Sequence, residues 1–232
     1  MLEEAAFIPY TATDCLGRGR ALFFAPHPDD EVLGCTGALR GHLTLGDPVR
    51  VIVATDGAWG GGANPDRYRL EREHESRKAA QILGYPSPLF WRLRDRFLAE
   101  VPDLTERVLM AIDDFAADWV YAPSWWEVHP DHRALAQAVT QAARARPDLG
   151  LILYEVGVPL QPNRLVDLTP HLALKRRALR SFKSQLELQA YDHQILGLNA
   201  FRAYTLPKEV VAAEAAFLSL KGGISISTVL IL

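Results

Sequence analysis

The sequence predicts an α/β protein with a Rossmann-like three-layer fold, a mostly parallel sheet between helices with a metal site at the carboxyl ends of the strands. Three observations predict it. Short apolar or β-branched runs alternate with stretches of helical period, the pattern of successive βα units in a doubly wound sheet. Runs such as 49–55 carry one charge near their start, Arg50, and are otherwise β-branched or small without alternation, as strands covered on both faces are. Clusters of His and Asp follow two of the runs, at the strand ends where open α/β sheets bind ligands.

Residues 1–19, with Pro9 and two glycines, are expected to be an irregular lead-in. Ala21 to Ala25 is expected as the first strand and Glu31 to Leu45 as a helix, closed by Gly46-Asp47-Pro48. Val49 to Thr55 is the second strand. The Gly-rich loop 58–65 after it lacks the Lys-Ser/Thr ending of a phosphate-binding loop and is expected to be a mobile lid weighted by Trp59. Tyr68 to Leu83 reads as a helix ended by Gly84, with Pro86 beyond. Residues 88–93 form a third strand candidate. Leu104, Val108, Ile112 and Phe115 recur at helical spacing after Pro102. Trp119 to Pro123, Arg133 to Arg146 and Leu151 to Val156 continue the alternation as strand, helix and strand. No G-x-G-x-x-G follows the first strand, so dinucleotide binding is not supported.

Beyond residue 157 the expected order is a loop, a short strand at 165–168, and a helix begun by Thr169-Pro170 with Leu172, Leu179, Phe182 and Leu186 facing inward. Residues 189–206 show no clear period. Pro207 is expected to start an Ala-rich helix running to about Leu220. The uncharged tail 222–232 is β-prone. It is expected to pair with a sheet edge or another subunit, which leaves a homo-oligomer open.

With 232 residues, 49% of them hydrophobic, the chain can bury a sizeable core. A net charge of −3 gives no broad basic field, which argues against nucleic acid as a partner. The basic cluster Lys175-Arg176-Arg177 with Arg180 is read as a solvated helix face. Cys15 and Cys35 do not make a disulfide framework and fit a reducing compartment. Neither a signal peptide nor a membrane-spanning run is read, so the expected location is cytoplasmic.

Pro26-His27-Pro28-Asp29-Asp30-Glu31 follows the first strand. His27 and Asp30, three residues apart, suit a divalent metal such as zinc, with Asp29 a spare carboxylate. Taken alone, the cluster also reads as an Asx-turn with a helix N-cap. A second cluster, His129-Pro130-Asp131-His132, stands likewise between a strand and a helix. If the two strand ends converge, His132 completes a three-ligand set with an open position for water, the arrangement of a catalytic zinc. Arg72 suits either a substrate hydroxyl or phosphate, or an ion pair with Glu71 or Glu75. Trp125 and Trp126 suit either sugar stacking or packing of their loop. Asn163 and Arg164 are candidate specificity residues. Glu155, at a strand end, is a candidate supporting residue. His42, His74, His171 and His193 read as surface or core residues.

PHPDDE and HPDH resemble the motifs of the LmbE-like, or PIG-L-type, zinc-dependent N-acetyl-sugar deacetylases. So do Arg72 and Glu75 as an R-x-x-E pair, Val166-Asp167-Leu168-Thr169 with Lys175, Ala178 and Ser184-Gln185, and Leu198-Asn199-Ala200-Phe201-Arg202. Phe182-Lys183 departs from the polar aromatic or His that many members carry before S-Q. The resemblance spans roughly residues 20 to 220. It implies one deacetylase domain over 1–232, with Zn2+ or another divalent metal on His27, Asp30 and His132. It further implies Asp29 as general base, and a protonated His129, held by Asp131, that stabilises the oxyanion and protonates the leaving amine. The implied partner is a small-molecule N-acetylglucosamine-type conjugate. Rival readings are a metal-dependent amidase or esterase on a non-sugar substrate, and a non-catalytic carbohydrate-binding module.

Overall fold

The computed structural model describes residues 12–219. Its strands are β1 (Ala12–Thr13), β2 (Ala21–Ala25), β3 (Val49–Thr55), β4 (Leu89–Leu93), β5 (Trp119–Pro123), β6 (Gly150–Tyr154), β7 (Arg164–Asp167) and β8 (Ala213–Ser219). Its helices are α1 (Asp30–Thr44), α2 (Pro65–Leu83), α3 (Leu104–Phe115), α4 (Pro130–Arg144), α5 (Leu172–Leu179), α6 (Lys183–Leu186) and α7 (Tyr191–Arg202). The strands form one sheet in the order β1-β7-β8-β6-β5-β2-β3-β4. Every pairing is parallel except those of β8, which runs antiparallel to both β6 and β7.

Period two along the strands builds two cores. Phe23, Val51, Val53, Tyr121 and Ile152 face α1, α2 and α5, where they meet Val32, Leu39, Leu83 and Leu179. Leu22, Phe24, Ile52, Val120, Leu151 and Leu153 face α3 and α4, where they meet Leu104, Val108, Ile112, Phe115, Leu135 and Val139. Both faces are covered, which is why these runs carry no polar alternation. The strand β2 lies between β3 on one side and β5 on the other. Chain connections diverge there, opening a crevice at the carboxyl ends.

Several expectations are corrected. The stretch after Pro207 does not form a helix: residues 213–219 make β8. Alanine favours helix in isolation. Here the chain fills a slot between β6 and β7, where Ala216 is buried on the α1 side and Ala213 and Ala215 are buried on the other face with Leu160 and Leu165. The approach is tight, since a Cβ on Gly37 of α1 would lie 3.0 Å from both Val166 and Glu214. Lys175 is not on a solvated face. It is fully buried, and its Nζ donates to Glu214 Oε1 and to the Leu33 carbonyl, each at 2.7 Å; Arg176, Arg177 and Arg180 are exposed as expected. Residues 191–202, without a clear period in sequence, form α7. The lead-in is not wholly irregular, because Ala12–Thr13 pairs with β7. The tail 222–232 lies outside the described residues. Cys15 and Cys35 are both free. His42 is a core residue between Asp47 and Tyr121, His74 and His193 are exposed, and His171 is half-buried. Among the described residues, no helix is long and apolar enough to cross a membrane.

Candidate metal centre

Because β2 and β5 are neighbours, the loops that leave their carboxyl ends meet. His27 Nδ1, His132 Nε2 and Asp30 Oδ2 stand 3.2 Å from one another, a closed triangle of donor atoms. The corners of such a triangle are about 1.8 Å from its centre, just inside the 2.0–2.1 Å reach of zinc to nitrogen and oxygen. His27, Asp30 and His132 would hold a divalent ion there through these three atoms. His129 brings a further nitrogen within 4.8 Å of those of His27 and His132.

Helix α1 begins at Asp30, and Asp29 in its cap position makes no side-chain capping bond. The capping reading of this cluster therefore does not account for the carboxylates. Asp30 Oδ2 instead accepts the His27 N–H at 2.9 Å, and Asp29 Oδ2 accepts Arg72 Nη2 at 3.0 Å. Arg72 is buried, and it also donates to the carbonyls of Gly57 and Pro28. It pairs with neither Glu71 nor Glu75, contrary to the helix-surface alternative. Glu75 accepts the backbone N–H and the hydroxyl of Ser184, so the R-x-x-E helix ties Asp29 at one point and α6 at another.

Asp131 differs from expectation. Its Oδ2 lies 3.2 Å from His27 Nε2 and accepts the Arg96 N–H, while its Oδ1 accepts the Leu98 N–H. The same Oδ2 is 4.0 Å from His129 Nδ1. What holds His129 is the backbone of Asp131, whose N–H donates to Nδ1 at 3.2 Å. His129 is the N-cap of α4, and a helix N-terminus offers N–H donors rather than a carboxylate at that place.

Two supporting carboxylates escaped the sequence reading. Asp95, in the loop after β4, puts Oδ1 3.3 Å from His27 Nε2. Glu127 puts Oε2 3.5 Å from His132 Nδ1 and accepts the N–H groups of Val156 and Gly157. The available signal was position, since each follows a strand of the parallel sheet at its carboxyl end. Arg92 and Arg96, both at positive φ, bracket Asp95 in a strained turn.

Five carboxylates, Asp29, Asp30, Asp95, Glu127 and Asp131, are thus buried around two imidazoles, with Arg72, among the described residues, as the one arginine whose side chain pairs with them. That charge balance calls for a cation. It is written into the protonation of the cluster. Burial opposes charge on His27, yet Asp131, Asp30 and Asp95 hold it well above its ordinary value. Burial likewise opposes charge on His132, but Asp30 lifts it to about 9. Burial opposes ionisation of Asp30, and His132 and His27 outweigh it to hold the carboxyl below the usual range. Burial, only partly offset by Arg72, pushes Asp29 up to about 6. Burial and the charges of His27 and His132 pull His129 below its ordinary value, which disfavours the imidazolium expected from sequence. The donor set, two imidazoles and a carboxylate, with Asp131 and Asp95 on the outer nitrogen of His27 and Glu127 3.5 Å from that of His132, fits a divalent metal with an open position.

The triangle, Asp29, Arg72 and His129 line a cavity of about 700 Å3 that continues past Trp59 to α7. The other substrate candidates lie elsewhere. Trp125 packs into the α3–α4 core and donates to Thr140, with Trp126 against it. Asn163 exchanges hydrogen bonds with the backbone of Leu218 across β7 and β8, and Arg164 donates to the Asn163 carbonyl. Glu155 holds Arg202 and the Leu160 N–H.

The chain is 28% identical over 193 residues to a diacetylchitobiose deacetylase of Thermococcus kodakarensis, covering 75% of this chain and 72% of that one. It is 28% identical over 185 residues to a probable N-acetyl-α-D-glucosaminyl L-malate deacetylase of Bacillus anthracis, covering 71% and 80%. The crystal structure of a conserved protein from Thermus thermophilus superposes with a TM-score of 0.76 at 25% identity, over 89% of this chain and 97% of that one. The family model described as PIG-L, GlcNAc-PI de-N-acetylase, matches residues 22–143, from β2 to the end of α4, and so takes in both histidine clusters; the chain belongs to that family.

Proposed function

We propose that the protein is a metal-dependent hydrolase, one catalytic unit over 1–232, that removes the acetyl group from an N-acetylglucosamine-type conjugate. His27, Asp30 and His132 would hold zinc or another divalent ion. The observation that carries the reading is the 3.2 Å triangle of donors at the floor of the cavity with Asp29 beside it. The names of the two relatives, both deacetylases, support the substrate class. When bound, the ion supplies a Lewis acid for the amide carbonyl and makes water acidic enough to attack near neutral pH.

The chain's own groups do the rest. Asp29 takes the proton of the attacking water on its carboxylate, with its rotamer fixed by Arg72. His129 accepts the Asp131 N–H on Nδ1, so its neutral ring carries the proton on Nε2. That N–H donates a hydrogen bond to the carbonyl oxygen as negative charge develops, and the proton taken up by Asp29 passes on to the departing amine, which returns Asp29 to its carboxylate form. Asp131 and Asp95 fix the ring of His27 from behind. A binding module would need none of these proton-handling groups.

The test is Asp29→Asn in the zinc-loaded protein, assayed by amine release from N-acetylglucosamine and diacetylchitobiose. Turnover falls about 10²–10⁴-fold while metal content stays at the wild-type value. Loss of metal with activity retained reverses the base and ligand assignments. Ester hydrolysis without amine release from any N-acetyl sugar favours the non-sugar hydrolase.

A further inference from the structure

We infer that the conjugate carried by the sugar is apolar, an alkyl or aryl group seated on a wall built by Leu188 and α7. The inference rests on the deacetylase reading and deepens it. Along the cavity the lining changes character. Around the triangle it is charged; at the other end it is Leu188, Tyr191, Ile195 and Leu198. Tyr191, Ile195 and Leu198 are four and three residues apart, so they share one face of α7. Trp59 and Val128 line the same cavity.

Leu188, Val128 and Trp59 are 67%, 74% and 55% exposed. Large apolar side chains gathered round one opening keep water against hydrocarbon until a ligand covers them. Neither arginine of the lining comes from the α7 side: Arg72 is bound to Asp29, and Arg96, whose backbone N–H donates to Asp131, has its guanidinium 4.6 Å over the Trp59 ring. The α7 segment contributes no charge to the lining, only Gln194 and the Tyr191 hydroxyl as polar groups. A malate carboxylate seated there would lack a cation, and the hydroxyls of a second sugar would face leucine and isoleucine without enough partners. This chain would therefore differ from the relatives named for chitobiose and malate conjugates.

The experiment is a series of N-acetylglucosaminides with methyl, butyl, hexyl, octyl and phenyl aglycones, with diacetylchitobiose and the malate glycoside alongside. Amine release is measured on zinc-loaded protein, and binding of the methyl and octyl members is measured by calorimetry on metal-free protein. Expected is a kcat/KM rising about two- to fourfold per methylene, carried by KM, with octyl bound more tightly than methyl. Leu188→Asp combined with Tyr191→Ser changes two exposed side chains, so the fold is kept, and it flattens both trends. Leu198→Ser flattens them independently from within the same face. Amine release from every member with no dependence on chain length overturns the inference and leaves the deacetylase reading standing. So does a higher kcat/KM for diacetylchitobiose or the malate glycoside than for octyl. A flat series from a protein that sediments as a dimer assigns the apolar rim to self-association and also overturns it. Amine release from none of the compounds sinks the deacetylase reading, and this inference with it.

Discussion

Replacing Lys175 with Met removes the ammonium that neutralises Glu214. Both side chains are buried, and Nζ is 2.7 Å from Oε1. Once the ammonium is gone, the Glu214 carboxylate keeps only backbone partners, chiefly the Gly37 N–H. Removing one partner of a buried pair typically costs about 3–5 kcal/mol, because the remaining charge is stranded. At about 2.1 cal/mol/K per residue, the unfolding entropy of a chain this long is about 0.5 kcal/mol/K, so Tm should fall by roughly 6–10 °C. The cost reaches the site, since the pair grips α1 at the Leu33 carbonyl and the Gly37 N–H, within two turns of Asp30. Thermal and urea unfolding of Lys175→Met, of Glu214→Gln and of the double variant check it. The double variant should recover part of the single loss, because no charge is then left uncompensated. A Lys175→Met protein within about 1 kcal/mol of wild type would refute the claim that the ammonium is what makes Glu214 tolerable in the core.

Three other outcomes are expected. Glu127→Gln removes the charge behind His132 and should weaken divalent metal binding about 10–100-fold, read by competition with a chromophoric chelator. Zinc should stabilise the metal-free protein by relieving the packed carboxylates, with a gain of about 4 kcal/mol when free zinc is a thousand times its Kd, followed by calorimetry. The third concerns pH. Burial holds His42 below its ordinary value, with Asp47 partly opposing and Arg18 assisting, so the unfolded state binds more proton than the folded one just below pH 6.5. Stability contributed by neutral His42 is therefore present above that pH and lost as pH falls through the window. His42→Gln should show a smaller loss of urea midpoint between pH 7 and pH 5 than wild type.

Much of this molecule was legible in one dimension because its signals are local. The strand at 21–25, the helix ended by Gly84, and the α3 stripe of Leu104, Val108, Ile112 and Phe115 follow from period and from cap chemistry. The His and Asp residues at two strand ends were also legible, because charge concentrated beside apolar runs has few other uses. The Ala-rich β8 and the α7 helix were not. An alanine run carries helix propensity wherever it stands, and only a vacant slot between β6 and β7 overrides it.

The residue types alone determined that a cation-binding chemistry was available; tertiary structure decided which atoms share it. That His27 and His132, 105 residues apart, face each other at 3.2 Å follows from β2 pairing with β5. That Asp131 stands behind His27, while its backbone holds His129, follows from where α4 begins. Asp95, Glu127 and the Arg72–Asp29 contact depend on the same packing. Strand order is set by how two covered faces bury their area together, a property of the whole sheet that no single segment encodes.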